Sequence, residues 1–402
     1  MQQPTGRRDE LPAAPSETIP YGRQAIGPDD IAAVVDALTS DYLTQGPRVP
    51  QFEEALSAAT TAPFAVAANS ATSALHLACL ALGTGPGDLV WTSPVSFVAS
   101  ANCARYCGAD VDFVDIEPDT FNMAPEALAE KLEAAARIGR LPKLVIPVHM
   151  GGQSCRMDAI GALAKRYGFH VVEDASHALG GSYANRPVGA GAHSDITVFS
   201  FHPVKIVTTA EGGAATTADP ALAAKLALLR SHGITRDPAL MEGEPDGVWA
   251  YEQVDLGWNY RMTELQAALG LSQMRRLGQF VDRRNALADR YDRLLSDLPL
   301  DLPARQAETR SSFHLYIVRL REAETGGGRR AVFDALRRRG IGVNVHYIPI
   351  YRQPYYRRLG FRAGHCPQAE RYYDRAISIP LYHGMTEAQQ DRVVAALREV
   401  LS

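Results

Sequence analysis

Between about residues 60 and 235 the chain alternates two textures. Short apolar runs (PFAVAAN, DLVWTSPVSF, DVDFVDI, KLVIPVHM, HVVEDAS, DITVFSF) alternate with stretches of helical period (SATSALHLACLAL, FVASANCARYCG, APEALAEKLEAAAR, RMDAIGALAKRYG). Strands without polar alternation, separated by helices, predict a mostly parallel sheet covered on both faces. Upstream, Pro28-Asp29-Asp30 opens one helix and FEEALSAAT forms another. Past Arg236 the pattern changes. RDPALMEGEPDGVWAYEQ is polar, marked by Gly and Pro, and too long for a simple connection, which predicts a functional loop over 236–250. MTELQAALGLSQMRRLGQFVDRRNALADRYDRLLSDL reads as one long helix bridging to a small α+β unit, built from FHLYIVRL, GGGRRAVFDALRRRG, IGVNVHYIPI and EAQQDRVVAALREVL. The expected division is a disordered tail over 1–18, a large domain over 19–255, and a bridging helix with a small domain over 256–402.

Composition changes this picture little. With 402 residues, 46% hydrophobic and 21% charged, the chain can bury a sizeable core. A net charge of −4 gives no footprint for nucleic acid or an anionic membrane, and the runs Arg337–Arg339 and Arg357–Arg358 read as solvated helix faces. Five cysteines, an odd number with no CxxC pair, argue against a disulfide framework or a zinc site. No apolar run is long enough for a bilayer and the first residues lack the apolar stretch of a signal peptide, so the expectation is a cytoplasmic protein with no membrane partner.

Chemistry gathers where predicted strands end, which is where parallel α/β sheets bind ligands. PFAVAAN runs through Asn69 and Ser70 into a helix that begins Ala71-Thr72-Ser73. Free N–H groups, hydroxyls and the positive end of the helix dipole suit a phosphate there, although an ordinary N-cap explains the same residues. HVVEDASH ends on Glu173, Asp174 and His177, which fits a satisfied structural carboxylate, a metal ligand without further ligands, or a buried Asp holding a pyridinium N–H. ITVFSFHPVK ends on Ser200, His202 and Lys205, whose only acidic neighbour in sequence is Glu211. A snorkelling surface lysine is the plain reading of Lys205. An amine withdrawn from water to form a Schiff base is the functional one. The three strand ends together favour pyridoxal phosphate (PLP), and neither GxGxxG after a strand nor GxxxxGK[ST] competes.

The motifs LTQGPRVPQFE, NSATSALHLA, SPVSFVASAN, VVEDASHALGG, VFSFHPVKIVTTAEGGA, GWNYRMTELQAALG and VHYIPI resemble those of the DegT/DnrJ/EryC1/StrS family of PLP-dependent sugar aminotransferases. The resemblance runs from about Ile19 to the C-terminus. It implies the α/β fold of type I PLP-dependent transferases (aspartate-aminotransferase-like): a large domain with a mostly parallel seven-stranded sheet, plus a small C-terminal α+β domain. It also implies roles. Lys205 carries the cofactor as a Schiff base, Asp174 pairs with the pyridine nitrogen, and Phe97 stacks on the ring. His177 stands near the ring hydroxyl where many members have glutamine. Ala71, Thr72 and Ser200 hold the phosphate, and Asn259 completes that site from the other subunit of a homodimer. Glu211, His232, Arg236, His346 and Tyr347 are weaker candidates for the substrate side, and no metal is implied. The implied reaction is ping-pong transamination from L-glutamate to C4 of a UDP-linked 4-keto-6-deoxy-N-acetyl-hexosamine, as in pseudaminic acid biosynthesis. Alternatives are another nucleotide-linked ketosugar of perosamine or bacillosamine type, a PLP-dependent sugar dehydratase, and a non-catalytic nucleotide-sugar sensor. Related dehydratases carry histidine at the lysine position, so Lys205 favours transamination.

Overall fold

The computed structural model describes residues 18–321 and 328–401, so all but Thr18 of the expected N-terminal tail lies outside the described residues. Seven strands form the main sheet: β1 (Phe64–Ala68), β2 (Leu89–Thr92), β3 (Asp110–Phe113), β4 (Leu144–Ile146), β5 (His170–Asp174), β6 (Ile196–Ser200) and β7 (Gly213–Thr217). Their spatial order is β1-β7-β6-β5-β4-β2-β3. Strands β3, β2, β4, β5 and β6 pair in parallel, and β7 runs antiparallel between β6 and β1. Six strands therefore finish on one edge of the sheet, and β7 starts there.

Alternating side chains divide between two faces, as a two-residue strand period requires. Val90, Leu144, Ile146, Val172 and Val198 pack with Leu75 and Cys79 of α3 (Ala71–Ala81) and Cys103 of α4 (Ala99–Tyr106), two helices that follow α1 (Pro28–Leu38) and α2 (Arg48–Thr60). Trp91, Val145 and Val171 face the other way, onto Leu128 and Leu132 of α5 (Pro125–Arg137) and Ile160 of α6 (Met157–Tyr167). This parity decides the site. Asp174 shares the face of Val172 and looks toward α4, whereas Glu173 looks the other way.

Six strands coincide with the apolar runs; the seventh does not. β7 reads Gly-Ala-Ala-Thr-Thr, too small and bland to register as a strand, yet every residue of it is buried. A Cβ on Gly213 would come within 2.3 Å of the Ala71 nitrogen, so only glycine lets β7 run this close behind the start of α3. The next helix, α7 (Pro220–Arg230), is capped by Asp219, whose Oδ1 accepts from the Ala221 N–H at 2.7 Å.

The long helix predicted from MTELQ onward is two: α8 (Glu264–Met274) and α9 (Leu277–Leu294). At the break Arg276 leaves helical geometry, ion-pairs with the buried Asp30 at 2.5 Å, and donates to Ala25 O. Beyond α9 a three-stranded antiparallel sheet, β8 (Leu300–Asp301), β9 (Tyr316–Leu320) and β10 (Ala376–Ile379), has its own core of Tyr291, Tyr316, Val318, Ile377, Val393 and Leu397. Ile350, Tyr351, Tyr356 and Tyr372, from the segment between β9 and β10, join the core of the large sheet instead. Ile350 N donates to Pro94 O at 2.9 Å, seating that segment over the end of β2. No described helix is long and apolar enough to cross a membrane.

Candidate active site

Lys205 sits in the turn after β6, its N–H donated to His202 O at 2.9 Å. Burial lowers its amine to about 8, while the Asp174 carboxylate pulls the other way. The acidic group that Lys205 senses is thus Asp174 at the end of β5, not the sequence-adjacent Glu211. Glu211 is exposed, and its described hydrogen bonds run through its carbonyl, which accepts from Thr209 Oγ1 and Gln266 Nε2, both at 2.7 Å.

Asp174 is buried and held at both oxygens. Ser100 Oγ donates to Oδ2 at 2.5 Å, and the Ser176 N–H donates to Oδ1 at 3.1 Å. The strand end itself is fixed by the Asp174 N–H to Pro147 O at 2.9 Å and the His149 N–H to Asp174 O at 3.1 Å. On the opposite face Glu173 accepts from His149 Nε2 at 2.7 Å, from Thr197 Oγ1 at 3.1 Å and from Ser194. Glu173 is therefore the satisfied structural carboxylate of the pair.

His177 is buried beside them. Its Nδ1 accepts the Gly151 N–H at 3.3 Å, so in the neutral ring the proton is on Nε2, 3.2 Å from Tyr347 Oη. Burial, with Lys205 and His346 nearby, keeps it well below the usual imidazole range. His314 lies against it with ring centroids 4.4 Å apart, and His346 is lowered to about 3 by burial and Lys205. Among these candidates, His346 and Tyr347 are thus gathered at the lysine. Phe97, at the turn into α4, leaves 60% of its surface open and lies 6.5 Å from the Tyr347 ring between centroids.

The start of α3 forms the third part. Ser70 caps the helix by accepting the Ser73 N–H at 3.1 Å, and Ser73 Oγ donates to Asn69 Oδ1 at 2.6 Å. That leaves the Ala71 and Thr72 N–H groups, both half-buried, as the open donors of the first turn. Ser200 pairs with Gly213 across β6 and β7, and Gly213 backs onto Ala71, so Ser200 closes the same corner. An anion cradle, an open aromatic face, an oriented carboxylate and a deprotonatable amine on one sheet edge match the phosphate, ring, ring nitrogen and aldehyde of PLP.

The model of the DegT/DnrJ/EryC1/StrS aminotransferase family matches residues 24–398. The chain belongs to this family. Its architecture is that of the type I PLP-dependent transferases. The chain is 40% identical to the spore coat polysaccharide biosynthesis protein SpsC of Bacillus subtilis over 95% of its length and 97% of SpsC. It is 32% identical to the solved Helicobacter pylori PseC, an aminotransferase involved in the biosynthesis of pseudaminic acid, with a TM-score of 0.87 over 96% of this chain and 99% of PseC. A Streptococcus pneumoniae structure in the PMP-form is also 32% identical, with a TM-score of 0.86 over 95% of this chain and 98% of that one.

The remaining candidates of this aminotransferase have no described hydrogen bond to Lys205. Asn259 is exposed; its backbone bridges to Ser231, and its carbonyl accepts from Asn69 Nδ2 at 3.5 Å, beside the start of α3. His232, in a left-handed conformation, and Arg236 flank a two-residue ribbon pairing Ile234–Thr235 with Glu252–Gln253. The predicted loop springs from this ribbon and leaves Val248 and Trp249 in solvent. No described hydrogen bond ties His232 or Arg236 to Lys205; Arg236 lies 5.7 Å over the Tyr251 ring. The strand-end motifs do not point to Ser96, Ser100 or His314. Serines at i and i+4 around Phe97 were the available signal for the first two, whereas nothing local marked His314.

Proposed function

We propose that this aminotransferase holds pyridoxal 5′-phosphate and moves the amino group of L-glutamate to C4 of a UDP-linked 4-keto-6-deoxy-N-acetyl-hexosamine, the step made in pseudaminic acid biosynthesis. The observation that carries the chemistry is a lysine amine lowered to about 8 beside a buried, doubly held carboxylate. When bound, the cofactor supplies an aldehyde carrier for the amino group and an electron-accepting ring. Lys205 holds the cofactor, and its Nζ then carries a proton to and from the substrate carbon. Asp174 keeps the ring nitrogen protonated. The Ala71 and Thr72 N–H groups and Ser200 bind the phosphate, and Phe97 covers one ring face. His177 and Tyr347 hold the ring hydroxyl side without adding charge. Asn259 reaches the phosphate of the neighbouring subunit in a homodimer, and the enzyme works in the cytoplasm. Glu211, His232, Arg236 and His346 are assigned to the sugar-nucleotide side.

PseC, 32% identical and matched over almost its whole length, supports this sugar. A second reading, another nucleotide-linked ketosugar, is favoured by the 40% identity to a protein of spore coat polysaccharide biosynthesis. Purified enzyme supplied with ¹⁵N-glutamate and a panel of UDP-, dTDP- and GDP-linked ketosugars separates the two. The first predicts label in the product of the UDP-linked 4-keto-N-acetyl sugar above all others. Label in another sugar instead establishes the second reading, and no labelled product from any sugar overturns both.

A further inference from the structure

The carboxylate that faces the cofactor is itself the end of a hydrogen-bonded chain. Ser96 Oγ lies 2.6 Å from Ser100 Oγ, which lies 2.5 Å from Asp174 Oδ2, and all three residues are buried. The directions follow from counting protons. An ionised carboxylate only accepts, so the single Ser100 proton is committed to Asp174 and Ser96 must donate to Ser100. The alternative acceptor for Ser100, Phe97 O, is farther away at 3.3 Å. With Oδ1 taken by the Ser176 N–H at 3.1 Å, each carboxylate oxygen has one fixed donor. The sequence reason is local. Ser96 and Ser100 flank Phe97 across the turn into α4, so the segment that presents the aromatic face also presents the two hydroxyls.

We propose that Ser100, polarised by Ser96, is a positioning residue that aims Asp174 and keeps the proton it shares with the cofactor on the ring nitrogen. A hydroxyl donating at 2.5 Å to Oδ2, with the Ser176 N–H on Oδ1, fixes the plane of the carboxylate and the lone pairs it offers to the ring N–H. Without it, Oδ2 loses its fixed donor and the carboxylate is free to turn away from the ring N–H that it holds. Ser96 acts one step removed, because donating to Ser100 strengthens the Ser100 hydroxyl as a donor. Ser100 does not touch the reacting atoms; it acts through Asp174.

This inference rests on the pyridoxal phosphate reading, and the test separates the two. Full-length Ser100→Ala, Ser100→Thr and Ser96→Ala are loaded with pyridoxal phosphate carrying ¹⁵N in its ring, and the dissociation constant and the ring-nitrogen resonance are measured. Ser100→Ala should move the resonance from the protonated toward the unprotonated position and raise the dissociation constant about tenfold, the worth of one hydrogen bond to a charged group. Ser100→Thr keeps the hydroxyl and should restore both. Ser96→Ala should shift the resonance the same way by less, and it decides the matter if Ser100→Ala does not fold. A wild-type resonance and affinity in Ser100→Ala, or a wild-type resonance in Ser96→Ala when the first variant is unfolded, overturns the proposal. Failure of the wild type itself to bind pyridoxal phosphate sinks the underlying reading instead.

Discussion

Two opposed effects set the state of Lys205. Removal from water favours the neutral amine, the charge of Asp174 favours the ammonium, and burial wins, leaving the group at about 8. The sign gives a testable profile. Attack on an aldehyde needs the neutral amine, which is the minor form below that value and the major form above it. The rate of covalent cofactor uptake by the apoprotein should therefore rise about tenfold per pH unit below pH 8 and level off above it. Stopped-flow absorbance measures this. A rate still climbing with that slope at pH 10 would mean the amine is not lowered. The histidines around Lys205 are low for the same reason, burial with Lys205 close by. At this scale the sequence revealed the residue types at the strand ends. It did not reveal that His314 arrives from β9's approach, because such contacts join distant positions through tertiary packing alone.

At the scale of elements, the apolar runs announced six strands because both faces of a covered sheet need bulky side chains. β7 escaped for a physical reason. Its space is set by α3 pressing on Gly213, so it is filled with Gly, Ala and Thr rather than with Val or Ile. Similarly, nothing in the helical period marked the break between α8 and α9, since both sides continue it; the break reflects the reach of Arg276 to Asp30. Gly213 connects packing to function. Gly213→Ala places a Cβ 2.3 Å from Ala71 N and 2.4 Å from the Ser70 carbonyl carbon, so the start of α3 must shift. The expected cost is about 1–3 kcal/mol of stability. Pyridoxal phosphate should also dissociate at least about tenfold more readily, because the displaced N–H groups are those proposed to meet its phosphate. Isothermal titration and thermal unfolding of the variant check both, and unchanged affinity would remove α3 from the phosphate site.

The whole molecule presents surface that one chain leaves uncovered. Ile31, Val35 and Leu38 follow one another at helical spacing on α1 and are all more than half exposed, and Tyr42 and Leu43 continue the patch. Asn259 is exposed as well. The proposed homodimer with shared sites would account for both, and it makes a prediction no single chain can meet. Lys205→Ala and Asn259→Ala proteins should each be impaired as pure dimers. Unfolded together and refolded as a mixture, they should regain about a quarter of wild-type activity, because half the dimers are mixed and each has one intact site. No gain over the separate variants would place Asn259 in the same subunit's site or outside it.

All of these expectations lead back to one covalent attachment. Purified protein loaded with pyridoxal phosphate, reduced with borohydride and digested should yield a single pyridoxyl-modified peptide, with the modification on Lys205. A modification on a different lysine, or none after loading, would contradict the account at its foundation.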